Sequence, residues 1–140
     1  FIFYVKELVS RNLRLRLYTN GTGLTEDIVS ILYSLRAHID SVVVNYPSAD
    51  LLRFHEKTGS GDYYKTTDAI RVCSKAGLAV SLSIQGNAQE YAKEILSARE
   101  LFPDIPINAY HTTNRAGLMK DLPPRVQTNV LSGGVNRSIL

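Results

Sequence analysis

The stretch Leu13-Arg-Leu-Arg-Leu-Tyr-Thr-Asn-Gly-Thr-Gly23 decides how the chain is read. Leu13, Leu15 and Leu17 alternate with Arg14, Arg16 and Tyr18, the two-residue period of an extended strand. The run stops at Asn20-Gly21, a pair that tolerates positive φ and marks a sharp turn. A strand over 13–19 with a polar Thr-Asn-Gly at its C-terminal end is the expectation, and the elements around it follow.

On the C-terminal side, Thr25 suits a helix N-cap, with Glu26 and Asp27 in the first turn where the helix dipole favours anions. Ile28, Val29, Ile31, Leu32 and Leu35 then recur at helical spacing to about Ala37. Ser-Val-Val-Val-Asn-Tyr at 41–46 is a β-branched run of the buried parallel-strand kind. Pro47-Ser48 closes it, with Ser48 as the expected cap of a brief helix through Leu51, Leu52 and Phe54. A glycine-containing loop at 57–62 leads to a helix over 63–76, with Ile70 and Cys73 inward and Gly77 ending it. A third strand spans 78–85. Asn87 is the expected cap of a helix whose Tyr91, Ile95, Leu96 and Leu101 form its apolar stripe. A fourth strand covers 105–112, and from Gly117 the sequence reads as irregular. Before the opening stretch, a short helix ends at Arg11-Asn12, with Phe3, Leu8 and Val9 near one face.

Helices and strands therefore alternate, which defines an α/β chain with parallel pairing through crossovers. An open doubly wound sheet and a segment of a (βα) barrel both satisfy this order. The composition is that of a globular domain, 44% hydrophobic and 21% charged, and 140 residues suffice for one core. Sixteen basic against thirteen acidic residues leave a net charge of +3 without a basic stripe, so no nucleic-acid partner is expected. No apolar run reaches the roughly 18 residues of a membrane span. One cysteine, Cys73, excludes a disulfide framework and a multi-cysteine metal site within this chain, and suits a cytoplasmic setting. The chain starts at Phe1 rather than Met, and the expectation is a piece of a longer protein.

In either architecture ligands gather at the C-terminal ends of parallel strands. Those ends read Thr-Asn-Gly-Thr-Gly (19–23), Asn-Tyr-Pro-Ser (45–48), Ile-Gln-Gly-Asn (84–87) and Tyr-His-Thr-Thr-Asn (110–114). Amide, hydroxyl and imidazole groups predominate and no carboxylate pair is present, which suits hydrogen bonding to a polar cofactor better than two-carboxylate hydrolysis. His38 and His55 read as surface or packing residues, and Cys73 as core. No Ser-His-Asp order or metal-ligand spacing stands out, so no catalytic residue is assigned.

An ordered series of motifs resembles the radical S-adenosylmethionine (SAM) enzymes. Thr19-Asn20-Gly21 ends one strand; Val42-Val-Val-Asn-Tyr-Pro-Ser-Ala-Asp50 carries the next into a helix. Thr58-Gly-Ser-Gly-Asp-Tyr-Tyr-Lys-Thr-Thr-Asp-Ala-Ile70, Ala76-Gly77 and Gly86-Asn87 follow in the family's order. The resemblance implies that residues 1–118 are the C-terminal part of a partial, TIM-like (βα) barrel truncated at its N-terminus. It also implies SAM cleaved reductively at a [4Fe-4S] cluster to start radical chemistry. The cluster's three-cysteine loop would precede Phe1, since one cysteine cannot supply three thiolates. This chain would then be the SAM-ribose, adenine and substrate side, inactive by itself. By resemblance Asn20, Gly21, Asn45, Lys57, Ile84 and Gly86 contact SAM, while Tyr110 and His111 look into the substrate space. Thr58 stands where the family commonly has an arginine, with Lys57 beside it.

Ser132-Gly-Gly-Val-Asn-Arg-Ser-Ile-Leu140 resembles the entrance to a SPASM-type auxiliary-cluster domain, with Val135 in place of its cysteine. Residues 119–140 would be the linker toward it. A peptide or protein substrate and an electron donor such as flavodoxin or ferredoxin are the partners implied. The competing readings are another α/β-barrel enzyme and a non-catalytic α/β binding domain. Truncation would turn the strand at 13–19 into an exposed edge bearing Arg14 and Arg16, leaving the piece marginally stable or prone to associate.

Overall fold

A computed structural model describes residues 1–59, 61–86, 88–111 and 127–129, with backbone alone for 88, 110, 111 and 127–129. The elements run α1 (Ile2–Ser10), β1 (Leu15–Thr19), α2 (Glu26–Ser34), a 3-10 turn (Arg36–His38), β2 (Ile39–Asn45), α3 (Leu51–Thr58) and α4 (Tyr63–Ala76). They continue with β3 (Val80–Gly86), α5 (Ala88–Leu101), β4 (Ile107–His111) and β5 (Gln127–Asn129). The fold is α/β, and the strands stand in chain order in one sheet, β1 to β4 parallel and β5 antiparallel to β4. β5 falls in the stretch read from sequence as irregular.

The chain divides into two compact units. The first comprises Phe1–Asn45 and Asp62–Ser81. In it β1 pairs with β2 from Leu15↔Ile39 through Arg16↔Ser41 to Thr19↔Val44. Asp40 is the extra residue of that register shift, so the bulge lies in β2 and β1 stays regular. The bulged Asp40 carboxylate accepts from Arg14 Nε at 2.9 Å and from Arg14 Nη2, while Arg14 Nη1 donates to the Ala37 carbonyl at 3.0 Å. Val42, Val43 and Val44 are all buried, as a strand covered on both faces requires. α2 packs on α4, each contributing residues at helical spacing: Val29 and Leu32 from one, Ala69, Ile70 and Cys73 from the other.

Thr25 caps α2 as expected, its side chain accepting from the Ile28 N–H, and Asp62 caps α4 by accepting from Lys65 N–H at 2.9 Å. Gly77 ends α4 in the left-handed region at φ 92°, which lets Leu78 N–H reach the Cys73 carbonyl at 3.1 Å. In α1 the inward residue is Val5, flanked by half-buried Ile2 and Val9, whereas Phe3 and Leu8 are exposed. The expected Phe3–Leu8 face was displaced because the i, i+3, i+7 series from Ile2 is the one that turns inward.

The second unit comprises Tyr46–Gly61 and the chain from Leu82 on. β3 pairs with β4 from Leu82↔Ile107 to Gly86↔His111, and β4 with β5 from Asn108↔Asn129 to Tyr110↔Gln127. Fully buried Tyr46 meets Phe54 of α3 and Phe102 at centroid separations of 5.9 and 5.7 Å. The N-cap of α3 is Asp50, not Ser48: the Asp50 carboxylate accepts from Arg53 N–H at 3.0 Å. Ser48 works one step earlier, its Oγ accepting from Asp50 N–H at 3.0 Å. α3 continues through Lys57 and Thr58 into the stretch expected to be loop, and Gly59 closes it at φ 74°. Along α5 the inward stripe is Tyr91, Glu94, Ile95, Ala98 and then Phe102, while Leu96 is exposed. Asn87, the expected cap, lies outside the described residues.

Candidate functional site

After β1 the chain turns on its own polar groups. Thr19 Oγ1 accepts from Gly21 N–H at 3.0 Å, and Asn20 Oδ1 accepts from Thr22 N–H at 3.1 Å and Thr22 Oγ1 at 2.8 Å. This Asx-turn fixes which end of the Asn20 amide is oxygen. Thr66 of α4, itself buried, donates its hydroxyl to the Asn20 carbonyl at 2.9 Å and pins the loop from beneath. Gly21 sits at φ 86°, where a non-glycine residue is strained. Asn20 is exposed, and among the described residues its NH2 group makes no hydrogen bond. A rigid pair of N–H donors is thus presented at the C-terminal end of β1.

β2 ends in Asn45, which is exposed. β3 places Ile84 wholly inside the core, while Gln85 is exposed and Gly86 buried. A Cβ on Gly86 would stand 2.8 Å from Glu90 Oε2, so glycine leaves that carboxylate its position. Tyr110 and His111 belong to β4 by backbone, but their side chains lie outside the described residues.

Lys57, in the last turn of α3, belongs to a charged group that sequence inspection missed. Its Nζ donates to the Pro47 carbonyl at 3.3 Å and stands 3.7 Å from both Glu90 Oε2 and Glu94 Oε1. Arg53 Nε donates to Glu94 Oε1 at 2.6 Å, and Arg53 Nη1 lies 3.7 Å from Asp50 Oδ2. Glu94 is only 2% exposed, and its Oε2 has no hydrogen-bond partner. The bond to Glu94 raises the Arg53 pKa against the opposing effect of burial. The Arg53 N–H bond holds the Asp50 carboxyl below its ordinary value, again against desolvation. The signal in the sequence was Glu94 at helical spacing between Tyr91 and Ala98, with two cations four apart at Arg53 and Lys57.

Cys73 is buried in α4, and burial pushes its thiol pKa up from 9.0 to about 11. Such a thiol is a poor nucleophile and a poor metal ligand at neutral pH. Among the described residues no group of three or more His, Cys, Asp or Glu side chains could hold a metal ion. We expect the folded chain to react with a thiol reagent at pH 8 at least about a hundredfold more slowly than the unfolded chain, from the lowered thiolate fraction alone. Equal rates in a disulfide-exchange assay, with and without denaturant, would contradict this placement. The raised pKa also carries a sign. The stability it contributes is fully present below about 9 and is lost as pH rises through about 11.

No helix among the described residues is long and apolar enough to cross a membrane. A scan against protein-family models and a search of curated proteins each returned no match.

Proposed function

We propose that this chain is the C-terminal part of a radical SAM core barrel, acting on a peptide or protein substrate as part of a longer enzyme. The reading is supported by the ordered motif series together with the state of Asn20. An Asx-turn holds its side-chain amide and the Thr66 hydroxyl its backbone carbonyl, which leaves two amide donors exposed at the end of a parallel strand. Such donors suit the oxygens of a nucleoside sugar. Asn45, exposed at the end of β2, offers a second amide. Lys57 is already paired with Glu90 and Glu94, so the sugar contact in this proposal falls to the two asparagines. Ile84 is wholly buried, so its side chain is not open to an adenine ring.

The residues present do not fit an iron-sulfur cluster. Three thiolates are required, and Cys73 is a single buried thiol. In this proposal the cluster ligands, and the electron donor that reduces the cluster, belong to other sequence.

The deciding experiment uses the longer polypeptide, reconstituted anaerobically with iron and sulfide. The expected result is bound iron and sulfide, reductive conversion of SAM to 5′-deoxyadenosine, and a SAM dissociation constant raised about tenfold by Asn20→Ala. A polypeptide that takes up no iron and binds no SAM overturns the proposal in favour of another α/β-barrel enzyme or a non-catalytic α/β binding domain.

A further inference from the structure

Asn20 alone among the asparagines is followed by glycine. Such a pair is chemically labile, because a glycine nitrogen is little hindered as it closes on the asparagine side-chain carbonyl. The turn after β1 depends on both residues. Asn20 supplies the Asx-turn bonds to Thr22, and Gly21 sits at φ 86°, where another residue is strained. The exposed Asn20 NH2 group makes no hydrogen bond among the described residues, and it is the group that imide formation expels.

The other reacting groups are held. Gly21 N–H donates to Thr19 Oγ1 at 3.0 Å, and the carbonyl of the same peptide accepts from Thr66 Oγ1 at 2.9 Å. One peptide plane is thus bonded on both sides, while Asn20 Oδ1 is held by the Thr22 N–H and hydroxyl. Forming the imide brings the Gly21 nitrogen onto Asn20 Cγ and moves both out of these bonds. Thr19 and Thr22 belong to the turn and move with it. Thr66 is buried in α4, 46 residues away in sequence, and ties the turn to a helix.

We propose that Asn20 is a self-modification site gated by Thr66, where imide formation is suppressed while the Thr66 bond holds the Asn20–Gly21 peptide. When that bond opens, the Gly21 nitrogen loses its proton to water and its electron pair bonds to Asn20 Cγ. The Cγ–Nδ2 bond breaks, and its electron pair leaves with the nitrogen, which takes a proton and departs as ammonia. Water then opens the five-membered imide at either carbonyl, giving aspartate or isoaspartate at position 20. The end of β1 then presents a carboxylate in place of two N–H donors, so a ligand that accepts from Asn20 loses its partner.

The inference is independent of the functional proposal, because the change is read by mass and not by iron or SAM. The test is a time course of the full chain in mildly alkaline buffer at physiological temperature. Peptide mass and isoaspartate content report the loss of the amide at residue 20. The urea-unfolded chain sets the rate of the free turn, and the folded wild type should react at least about tenfold more slowly. Thr66→Val is isosteric without the hydroxyl and should react about tenfold faster than wild type, as loss of one such bond implies. Thr66→Ser and Thr66→Ala both lose the methyl group, and only the alanine variant should be fast. Circular dichroism verifies that each variant keeps its fold, and the isosteric valine decides the matter if the alanine variant unfolds. A folded wild type that reacts as fast as the unfolded chain overturns the proposal. So does a Thr66→Val variant, folded, that reacts no faster than wild type, or a serine variant as fast as the alanine one.

Discussion

Replacing Arg53 by leucine is expected to lower the unfolding free energy by about 3 kcal/mol, near the lower end for breaking a buried ion pair. The cause is what stays behind. Glu94 is 2% exposed, and losing Arg53 removes the 2.6 Å hydrogen bond to Oε1 while Oε2 already lacks a partner. Lys57 at 3.7 Å softens the loss but does not replace the bond, and Arg53 itself keeps some access to water, so the upper end of the range does not apply. Replacing both Arg53 and Glu94 by leucine should recover most of the deficit, because no uncompensated charge remains inside. Urea unfolding read for midpoint and slope checks this. A shift of midpoint at constant slope is expected for the single variant, and a double variant no more stable than the single one would refute the account.

Gly21→Val should be of similar size, at about 3 kcal/mol, and should act through backbone and packing together. At φ 86° any L residue is strained, by roughly 1–2 kcal/mol. A bare Cβ would make ordinary contacts, 3.4 Å to Thr66 Cγ2, 3.4 Å to Val44 Cγ1 and 3.5 Å to Ala69 Cβ. Gly21→Ala should therefore show little more than the φ cost. The two γ-carbons of valine have no such room, and overpacking adds to the strain. Gly23 supplies the control. Nothing lies within 4 Å of a Cβ there, so Gly23→Ala should change stability by no more than about 0.5 kcal/mol. Thermal melts that rank Val below Ala at position 21, with position 23 unmoved, are the expected pattern. Equal effects at the two glycines would contradict it.

The parts of the fold that were legible in the sequence are those whose local chemistry and tertiary role agree. The helix Tyr63–Ala76 was read with its ends in place because apolar spacing and Gly77 point the same way. Thr25 was read as a cap because its side chain has one nearby use. Errors arose where two residues could do one job. Ser48 and Asp50 both suit a helix start, and the choice depends on where the first turn begins, which Tyr46 packing against Phe54 settles. Leu96 reads as inward because it is apolar, and no local pattern marks the charged Glu94 as buried, yet Leu96 is exposed and Glu94 lies inside. The stripe of α5 follows the angle of the helix, and the carboxylate it carries inward is tolerable only with Arg53 arriving from α3. That partner lies 41 residues away in sequence, beyond any local pattern. The Thr-Asn-Gly turn was legible as a turn; that Asn20 keeps its donors outward became visible only with the Thr22 and Thr66 bonds.

The bulge at Asp40 has a consequence for how such a chain can change length over generations. Removing one residue from a paired strand ordinarily sends every later side chain to the opposite face. In β2 that rule fails at one position. Without Asp40, Ile39 and Ser41 would be adjacent and still face Leu15 and Arg16, so the pairing of Val42, Val43 and Val44 would keep its phase. The loss would be Arg14's carboxylate partner, at an exposed pair. Loss of Val43 instead would reverse the residues after it. A single-residue gap between this chain and a divergent relative is thus best placed at Asp40, where the strand already carries one residue more than its neighbour.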